Sequence, residues 1–333
     1  MNMKLNNLQA LRAFAALNVV FFHILGTSAS YGFGVNDLKI FEGWGFNGVD
    51  IFFVLSGFIM VYIRGEGAMS PITFFVDRLT RIAPLYWLLT TLVLALSLVA
   101  PSIFRSDIAG IKIHTIASIF FMSQPLLSKS PVLFDGWTLE YEMLFYLCIA
   151  IGMFFKKISV THLFVMLCIS FLIASDLIQP VAFEFLLGIF CGTLYLNFRN
   201  NKRLQLICLL IGISCFASTL ILFKMEGDIF SQRVIMYGLP SFLIIYGLLG
   251  VSQIKRGALT KLGDASYSIY LIQVFTIPAF YKFANAFQGI TNDMLAIACL
   301  LFTAIGGYLI HIFIEIKLTK YTRKYCKRLL MRV

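Results

Sequence analysis

The chain has 333 residues, of which 59% are hydrophobic and 13% are charged, and its mean hydropathy is +0.87. This composition is too apolar for a water-soluble domain and predicts an all-α, polytopic membrane protein. The net charge of +11 does not predict a nucleic-acid partner, because Lys and Arg accumulate on the cytoplasmic side of membrane proteins. The seven cysteines lie almost wholly in apolar segments without ligand spacing, so we expect free thiols and no metal site.

Ten apolar stretches are long enough to cross a bilayer as helices, for which about 20 residues are needed. They comprise residues 8–27, 47–64, 82–100, 138–155, 159–175, 179–197, 204–223, 234–250, 266–285 and 293–316. An eleventh stretch, residues 113–128, is shorter and more polar, so we predict a re-entrant or interfacial element there. No linker or repeat interrupts the chain, which predicts a single membrane-embedded domain over residues 1–333.

The distribution of basic residues predicts the orientation of this transmembrane helical bundle. With ten spans and a cytoplasmic N-terminus, most of the 27 Lys and Arg residues lie on the cytoplasmic side. If residues 113–128 crossed the membrane, several groups of basic residues would move to the opposite side. The positive-inside rule therefore favours ten spans with both termini cytoplasmic.

The first predicted span contains two ionisable residues, Arg12 and His23. Such residues are costly inside a bilayer and mark functional sites by default. Eleven residues of α-helix return to within about 20° of the same face and rise about 16 Å, so both side chains share one side of the helix. Arg12 is a candidate anion ligand at the cytoplasmic end, and His23 is a candidate general base deeper in the bilayer. A purely structural bond between His23 and a neighbouring helix is the open alternative.

A second basic motif, Arg78-x-x-Arg81, precedes the apolar part of the third predicted span. We expect a short helix here, on which residues three apart project from one side. Two guanidinium groups, together with Arg12, are suited to binding phosphates bidentately. A role as positively charged anchors at the cytoplasmic surface is the open alternative.

Acidic residues inside the predicted spans provide possible partners for the histidine. Asp50 and Glu142 are candidates for orienting it and for stabilising its protonated form. Glu140 points about 200° away from Glu142 on a helix, and we expect it to be solvated near the outer interface. The pair Ser56-Gly57 predicts a small-residue contact between helices. Because no Gly-x-Ser-x-Gly motif accompanies it, a serine nucleophile is not predicted.

Taken together, these segments resemble the acyltransferase-3 family of integral membrane O-acyltransferases. The matching segments are collinear and extend over nearly the whole chain. They are Arg12 to His23, Gly48 to Phe58, Phe75 to Pro84 with Arg78 and Arg81, Trp137 to Tyr146, and Leu262 to Leu271. The forms Trp-Thr-Leu-x-Tyr-Glu-Met from Trp137 and Phe-Glu-Phe-Leu-Leu-Gly from Phe183 look most like the branch that acetylates bacterial exopolysaccharides.

The resemblance implies transfer of an acyl group, usually acetyl from cytoplasmic acetyl-CoA, to a hydroxyl of a surface or lipid-linked polysaccharide sugar. It implies that Arg12, Arg78 and Arg81 hold the CoA phosphates and that His23 deprotonates the acceptor or carries the acyl group itself. We predict that Glu142 and Asp50 assist in catalysis. The predicted substrate contacts are Trp137, Glu184 and Ser56. The expected location is a bacterial cytoplasmic (inner) membrane, which the chain crosses several times.

A competing interpretation is a multi-span transporter or exporter of a small anionic metabolite or a glycan precursor, since ten spans with buried charges suit a carrier. No interrupted pair of spans recurs in the two halves of the sequence, which disfavours it. The predicted partners are the sugar acceptor and membrane lipids. A homo-oligomer, or association with other glycan-assembly proteins, is left open.

Overall fold

The computed structural model describes residues 5–64, 69–99, 111–198, 201–222, 232–286 and 289–330. Within these ranges all regular secondary structure is helical. The α-helices are α1 (Asn6–Ser28), α2 (Gly48–Arg64), α3 (Pro71–Val99), α4 (Ile111–Ile119), α5 (Ser123–Leu127), α6 (Trp137–Gly152), α7 (Ile158–Ala174), α8 (Phe183–Asn197), α9 (Lys202–Leu222), α10 (Leu239–Leu248), α11 (Ala258–Asp264), α12 (Ser266–Phe283), α13 (Asn292–Ile310) and α14 (Ile316–Leu330). π-Helical turns, Val234–Gly238 and His311–Glu315, lead into α10 and α14.

The predicted all-helical class is confirmed, and a helix coincides with each of the ten predicted spans. Seven helices in the described ranges are long and apolar enough to cross a membrane: Asn6–Tyr31, Gly45–Ile63, Pro71–Ser97, Phe134–Phe155, Pro180–Asn197, Lys202–Leu220 and Asn292–Leu329. Ile158–Ala174 and Val234–Leu248 are apolar but shorter. The count of ten spans and the cytoplasmic termini stay predictions. The predicted span ends at residues 100 and 223 lie outside the described residues.

Residues 113–128, predicted to be re-entrant or interfacial, form the two short helices α4 and α5. They are separated by a turn in which Phe121 adopts a positive φ of 60°. Neither helix is long enough by itself to cross the apolar core of a bilayer, which takes about 20 residues.

The prediction of a short helix around Arg78 and Arg81 is wrong, because both residues lie inside the long helix α3. The helix begins at Pro71, whose fixed φ and missing N–H suit the first helical position. The Ser70 hydroxyl accepts the backbone N–H of Thr73 at 3.2 Å and satisfies one of the free donors at this end. The two arginines therefore share one continuous helix with the apolar part of the span.

The chain forms two compact units. The first comprises Met1–Gly67 and Pro180–Tyr308, and the second comprises Ala68–Gln179 and Leu309–Val333. The predicted single functional domain over residues 1–333 stays a prediction.

Helix α1 contributes to two hydrophobic cores of the first unit. Leu8 and Leu11 pack with residues of α2, α8, α9 and α10. Ala16 and Val20 pack with residues of α12 and α13. Because both sides of α1 are buried in this way, Arg12 and His23 lie on a helix that is held firmly within the unit.

Helices α2 and α8 approach so closely that their backbones touch. A Cβ atom added to Gly57 would collide with the carbonyl oxygen of Phe185, and one added to Gly188 would collide with the carbonyl oxygen of Val54. Small residues permit this kind of approach between membrane helices. The packing contact predicted for Gly57 is therefore present, and it brings the Asp50 and Glu184 helices together.

In the second unit α3 packs against α6 and α14, and α6 packs against α7 and the short helix α5. This arrangement surrounds the N-terminal part of α3, where Arg78 lies, with residues from α6 and α14.

Candidate functional site

Helix α1 carries Arg12 and His23, both half-buried. The helix is uninterrupted between them, so the predicted placement on one side holds. The Nε and Nη2 groups of Arg12 donate to the Ser266 hydroxyl, at 3.3 and 3.1 Å, at the start of α12. The carbonyl oxygen of His23 accepts a bond of 2.6 Å from the Thr27 hydroxyl. Arg12 thus lies at the junction of α1 and α12, with His23 about three turns further along α1.

Asp50 and Arg233 are buried charged residues of the first unit, and their side chains are both 0% exposed. Arg233 donates from Nε and Nη2 to the two carboxylate oxygens of Asp50, each at 2.8 Å. Its Cζ also lies 3.6 Å from the centroid of the Phe46 ring. Asp50 is in the first turn of α2, where the helix dipole favours a negative charge. Both carboxylate oxygens of Asp50 are thus bound by Arg233, and its predicted role beside His23 stays a prediction.

Glu184, in the first turn of α8, adds a second carboxylate to this cluster. It is fully buried and interacts electrostatically with Asp50 and Arg233. Its carboxyl group packs against Gly238, the last residue of the π-helical turn. Its predicted contact with substrate stays a prediction.

Sequence reasoning did not identify Arg233 as a site residue. Because Arg233 directly precedes an apolar stretch, its position in the sequence indicates a residue in a loop or at the membrane interface. The π-helical turn that follows it, Val234–Gly238, is a distortion that often accompanies functional sites. The one available signal was Asp50, because an acidic residue inside a span requires a partner.

Helix α3 carries Arg78, only 9% exposed, and the exposed Arg81 one turn later. The Arg78 Cζ atom lies 5.8 Å from the centroid of Phe74. Glu142 and Tyr146 of α6 interact electrostatically with the guanidinium, and the Tyr146 hydroxyl donates to the Glu142 carboxylate. In the described part of the chain, Nε of Arg78 has no hydrogen-bond partner. A buried cationic donor of this kind is suited to binding an anionic oxygen.

Glu140 is fully buried, so the prediction of a solvated side chain is wrong. Its carboxylate accepts the backbone N–H groups of Ser123 at 3.0 Å and Gln124 at 2.7 Å. These are the first residues of α5, where free N–H groups and the helix dipole favour a negative charge. The sequence did not reveal this contact because it depends on the path by which residues 113–128 return to α6.

The remaining predicted substrate residues lie in different surroundings. Trp137 is the first residue of α6 and packs edge to face with Tyr141, with ring centroids 5.6 Å apart. Ser56 is half-buried on α2, next to the α2–α8 contact at Gly57. Their contacts with substrate stay predictions.

The predicted site residues divide between the two units. The first unit contains Arg12, His23, Asp50, Ser56 and Glu184, and the second contains Arg78, Arg81, Trp137 and Glu142. Within the first unit the structure brings Asp50 and Glu184 together. Within the second it brings Arg78 and Glu142 together.

A family model described as an acyltransferase domain matches residues 5–313. The chain belongs to this acyltransferase family. The match confirms the family indicated by the sequence motifs and, with the apolar helices, identifies a multi-pass membrane acyltransferase. The exopolysaccharide production protein ExoZ of Rhizobium meliloti (strain 1021) is 33% identical over 294 residues, which cover 80% of this chain and 85% of that protein. No solved structure matches the chain.

Proposed function

We propose that this protein is an O-acetyltransferase that moves acetyl from cytoplasmic acetyl-CoA to a sugar hydroxyl of a surface or lipid-linked polysaccharide. Family membership supports acyl transfer, and the similarity to a protein named for exopolysaccharide production supports a glycan acceptor. The proposal includes a bacterial inner-membrane location, ten spans and cytoplasmic termini. This orientation leaves Arg12, Arg78 and Arg81 on the side where acetyl-CoA is available.

The observation that carries the donor assignment is the buried guanidinium of Arg78, whose Nε has no hydrogen-bond partner in the described residues. Desolvating a charged donor without a partner is costly. A phosphate oxygen of CoA offsets this cost, because guanidinium and phosphate form short, charge-assisted hydrogen bonds. We assign Arg81, one turn later on α3, to the same donor as a further phosphate ligand. Arg12 is proposed as a ligand of the CoA phosphates on the sequence motif alone.

In the proposed reaction His23 accepts the proton of the acceptor hydroxyl. The hydroxyl oxygen attacks the thioester carbonyl carbon, the carbon–sulfur bond breaks, and the departing thiolate takes the proton back from the imidazolium. The alternative route passes through an acyl-histidine, in which a ring nitrogen of His23 makes the first attack. Glu142 is assigned to orienting the acceptor or the histidine, and Asp50 is retained from the sequence motifs as a second candidate for stabilising the protonated histidine. Trp137, Glu184 and Ser56 are the proposed acceptor contacts.

The test uses purified full-length protein in nanodiscs with radiolabelled acetyl-CoA and a cell-surface glycan extract. We expect His23→Ala to reduce label transfer by about 100-fold or more, the usual contribution of a general base. His162→Ala is the matched control, because His162 is also half-buried in an apolar helix, α7, and it should retain activity.

Equal losses in the two variants would contradict the catalytic assignment. A wild-type protein that is folded but neither binds CoA nor transfers label would refute the donor assignment. If the same protein, reconstituted in vesicles, carried an anionic glycan precursor across the bilayer, the transporter interpretation would replace the transferase.

A further inference from the structure

The last helix, α14, is the most basic element of the second unit. Six of its fifteen residues are Lys or Arg and none is acidic: Lys317, Lys320, Arg323, Lys324, Lys327 and Arg328. It ends a continuous helical segment of 38 residues, Asn292–Leu329, which is about 57 Å long. The apolar core of a bilayer is only about 30 Å thick. Because basic side chains are costly in that core, α14 lies in the interface or in water.

An ion pair holds α14 against α3 beside Arg78. Arg323 donates from Nε and Nη2 to the two carboxylate oxygens of Asp77, each at 2.9 Å. The Asp77 side chain is 7% exposed, whereas that of Arg323 is 47% exposed. Asp77 directly precedes Arg78 in the sequence, so this pair fixes the basic helix next to the predicted phosphate ligand.

Lys327 lies four residues after Arg323 and hence on the same side of α14. It interacts electrostatically with Asp77, as do Arg323 and Arg78. The same region contains Arg81, which interacts electrostatically with Arg78. Three cationic side chains from two helices thus lie around Asp77, and Arg81 and Glu142 lie beside Arg78, so the local charge is positive.

The positive surface formed by Arg78, Arg81, Arg323 and Lys327 contains both buried and exposed cations. The guanidinium of Arg78 is buried and its Nε has no hydrogen-bond partner in the described residues, whereas Lys327 is exposed. An anion with two separated phosphate groups can bind Arg78 with one and Lys327 with the other. CoA has this form, with a diphosphate between the pantetheine arm and the ribose and a 3′-phosphate at the outer, nucleotide end. A lipid headgroup with one phosphate does not.

We propose that Lys327 binds the 3′-phosphate of CoA and that Arg323, through Asp77, is the positioning residue that holds Lys327 beside Arg78. The inference rests on the proposed use of acetyl-CoA and adds α14 to the donor site. It makes the C-terminal helix a determinant of the preference for CoA over donors that lack the 3′-phosphate.

The test measures the Kd of CoA and of 3′-dephospho-CoA for full-length protein in nanodiscs of phosphatidylcholine. Lys327→Gln is expected to weaken CoA binding about two- to fivefold, the range for an exposed charge pair, without changing the Kd of 3′-dephospho-CoA. Lys324→Gln is the matched control, because Lys324 is an exposed lysine of the same helix, whereas the cations that act on Asp77 are Arg323, Lys327 and Arg78. Arg323→Gln should reproduce the Lys327→Gln effect, and Arg323→Lys should restore part of the affinity. In transfer assays the change should appear in KM for acetyl-CoA and not in kcat.

Equal Kd values for the two nucleotides in the wild type, or equal effects of Lys327→Gln and Lys324→Gln, would overturn this assignment while leaving the transferase in place. An effect of Lys327→Gln that appears only when the nanodiscs contain phosphatidylglycerol would overturn it in favour of a lipid headgroup. A wild type that binds neither nucleotide would overturn the proposed function as well.

Discussion

The buried ion pair between Asp50 and Arg233 makes a quantitative prediction about stability. Arg233→Gln removes the guanidinium and leaves the Asp50 carboxylate in a site that is 0% exposed. Removing one partner of such a pair costs about 3–5 kcal/mol, because the other charge stays buried without compensation. The lost contact with the Phe46 ring at 3.6 Å acts in the same direction. We therefore expect the free energy of unfolding to fall by about 3–5 kcal/mol.

The assay is equilibrium unfolding in mixed micelles with increasing SDS, followed by circular dichroism. Asp50→Asn should also be destabilising, and the double variant Asp50→Asn, Arg233→Gln should lose less than the sum of the two single losses. Two neutral amides can bond to each other, so a coupling free energy of about 2 kcal/mol or more is expected. Arg256→Gln is the matched control, because Arg256 pairs with Asp264 at 3.2 Å but is 57% exposed. It should cost less than about 1 kcal/mol.

Two outcomes would refute this reasoning. If the losses from Asp50→Asn and Arg233→Gln were simply additive, the two side chains would not form an interacting pair. If Arg233→Gln cost no more than Arg256→Gln, the ion pair would not be shielded from solvent.

Three further predictions concern individual contacts in the two units. Gly57→Ala should destabilise the protein by about 1–3 kcal/mol in the same assay, because the new Cβ meets a backbone carbonyl oxygen of α8. Gly26→Ala is the control, because nothing lies within 4 Å of the added Cβ, and it should be neutral or stabilising. If it lowered the free energy of unfolding as much as Gly57→Ala, the close packing of α2 against α8 would not explain the effect at Gly57. Glu140→Gln should accelerate amide hydrogen exchange in α5, because it weakens the two hydrogen bonds from the Ser123 and Gln124 N–H groups by about 1–2 kcal/mol in total. Unchanged exchange would show that these two hydrogen bonds do not stabilise α5. In a double-mutant cycle, Asp77→Asn and Arg323→Gln should show a coupling free energy of about 0.5–1 kcal/mol, because one partner is half exposed. Zero coupling would show that the two side chains do not form a stabilising ion pair.

The helical segments could be predicted from the sequence because their signal is local. A stretch of about 20 apolar residues must satisfy its backbone hydrogen bonds internally, and a helix does so without reference to the rest of the chain. The placement of Arg12 and His23 on one side of α1 follows from helix geometry alone. The ends of helices were predicted less well. The Arg78 motif was assigned to a short helix entering the third span, whereas Ser70 and Pro71 begin a single long helix that includes both the motif and the span.

The contacts of the candidate site depend on residues that are far apart in the sequence. Asp50 and Arg233 are separated by 183 residues, and nothing in the local pattern around either residue identifies the other. Glu140 was expected to be solvated, yet it is buried because α5 directs its free N–H groups at the carboxylate. In both cases the decisive term is the desolvation of a charge, which is set by the three-dimensional neighbourhood.

The sequence by itself determined the class of protein, the helical segments, the family and the residues with reactive side chains. Only the tertiary structure decided which of those side chains are buried and which groups neutralise them. It placed Asp50 against Arg233, and it placed Asp77 against Arg323 beside a buried Arg78. The physical reason is that hydropathy and helix periodicity act over neighbouring residues, whereas the energy of a charge in a membrane protein depends on everything packed around it.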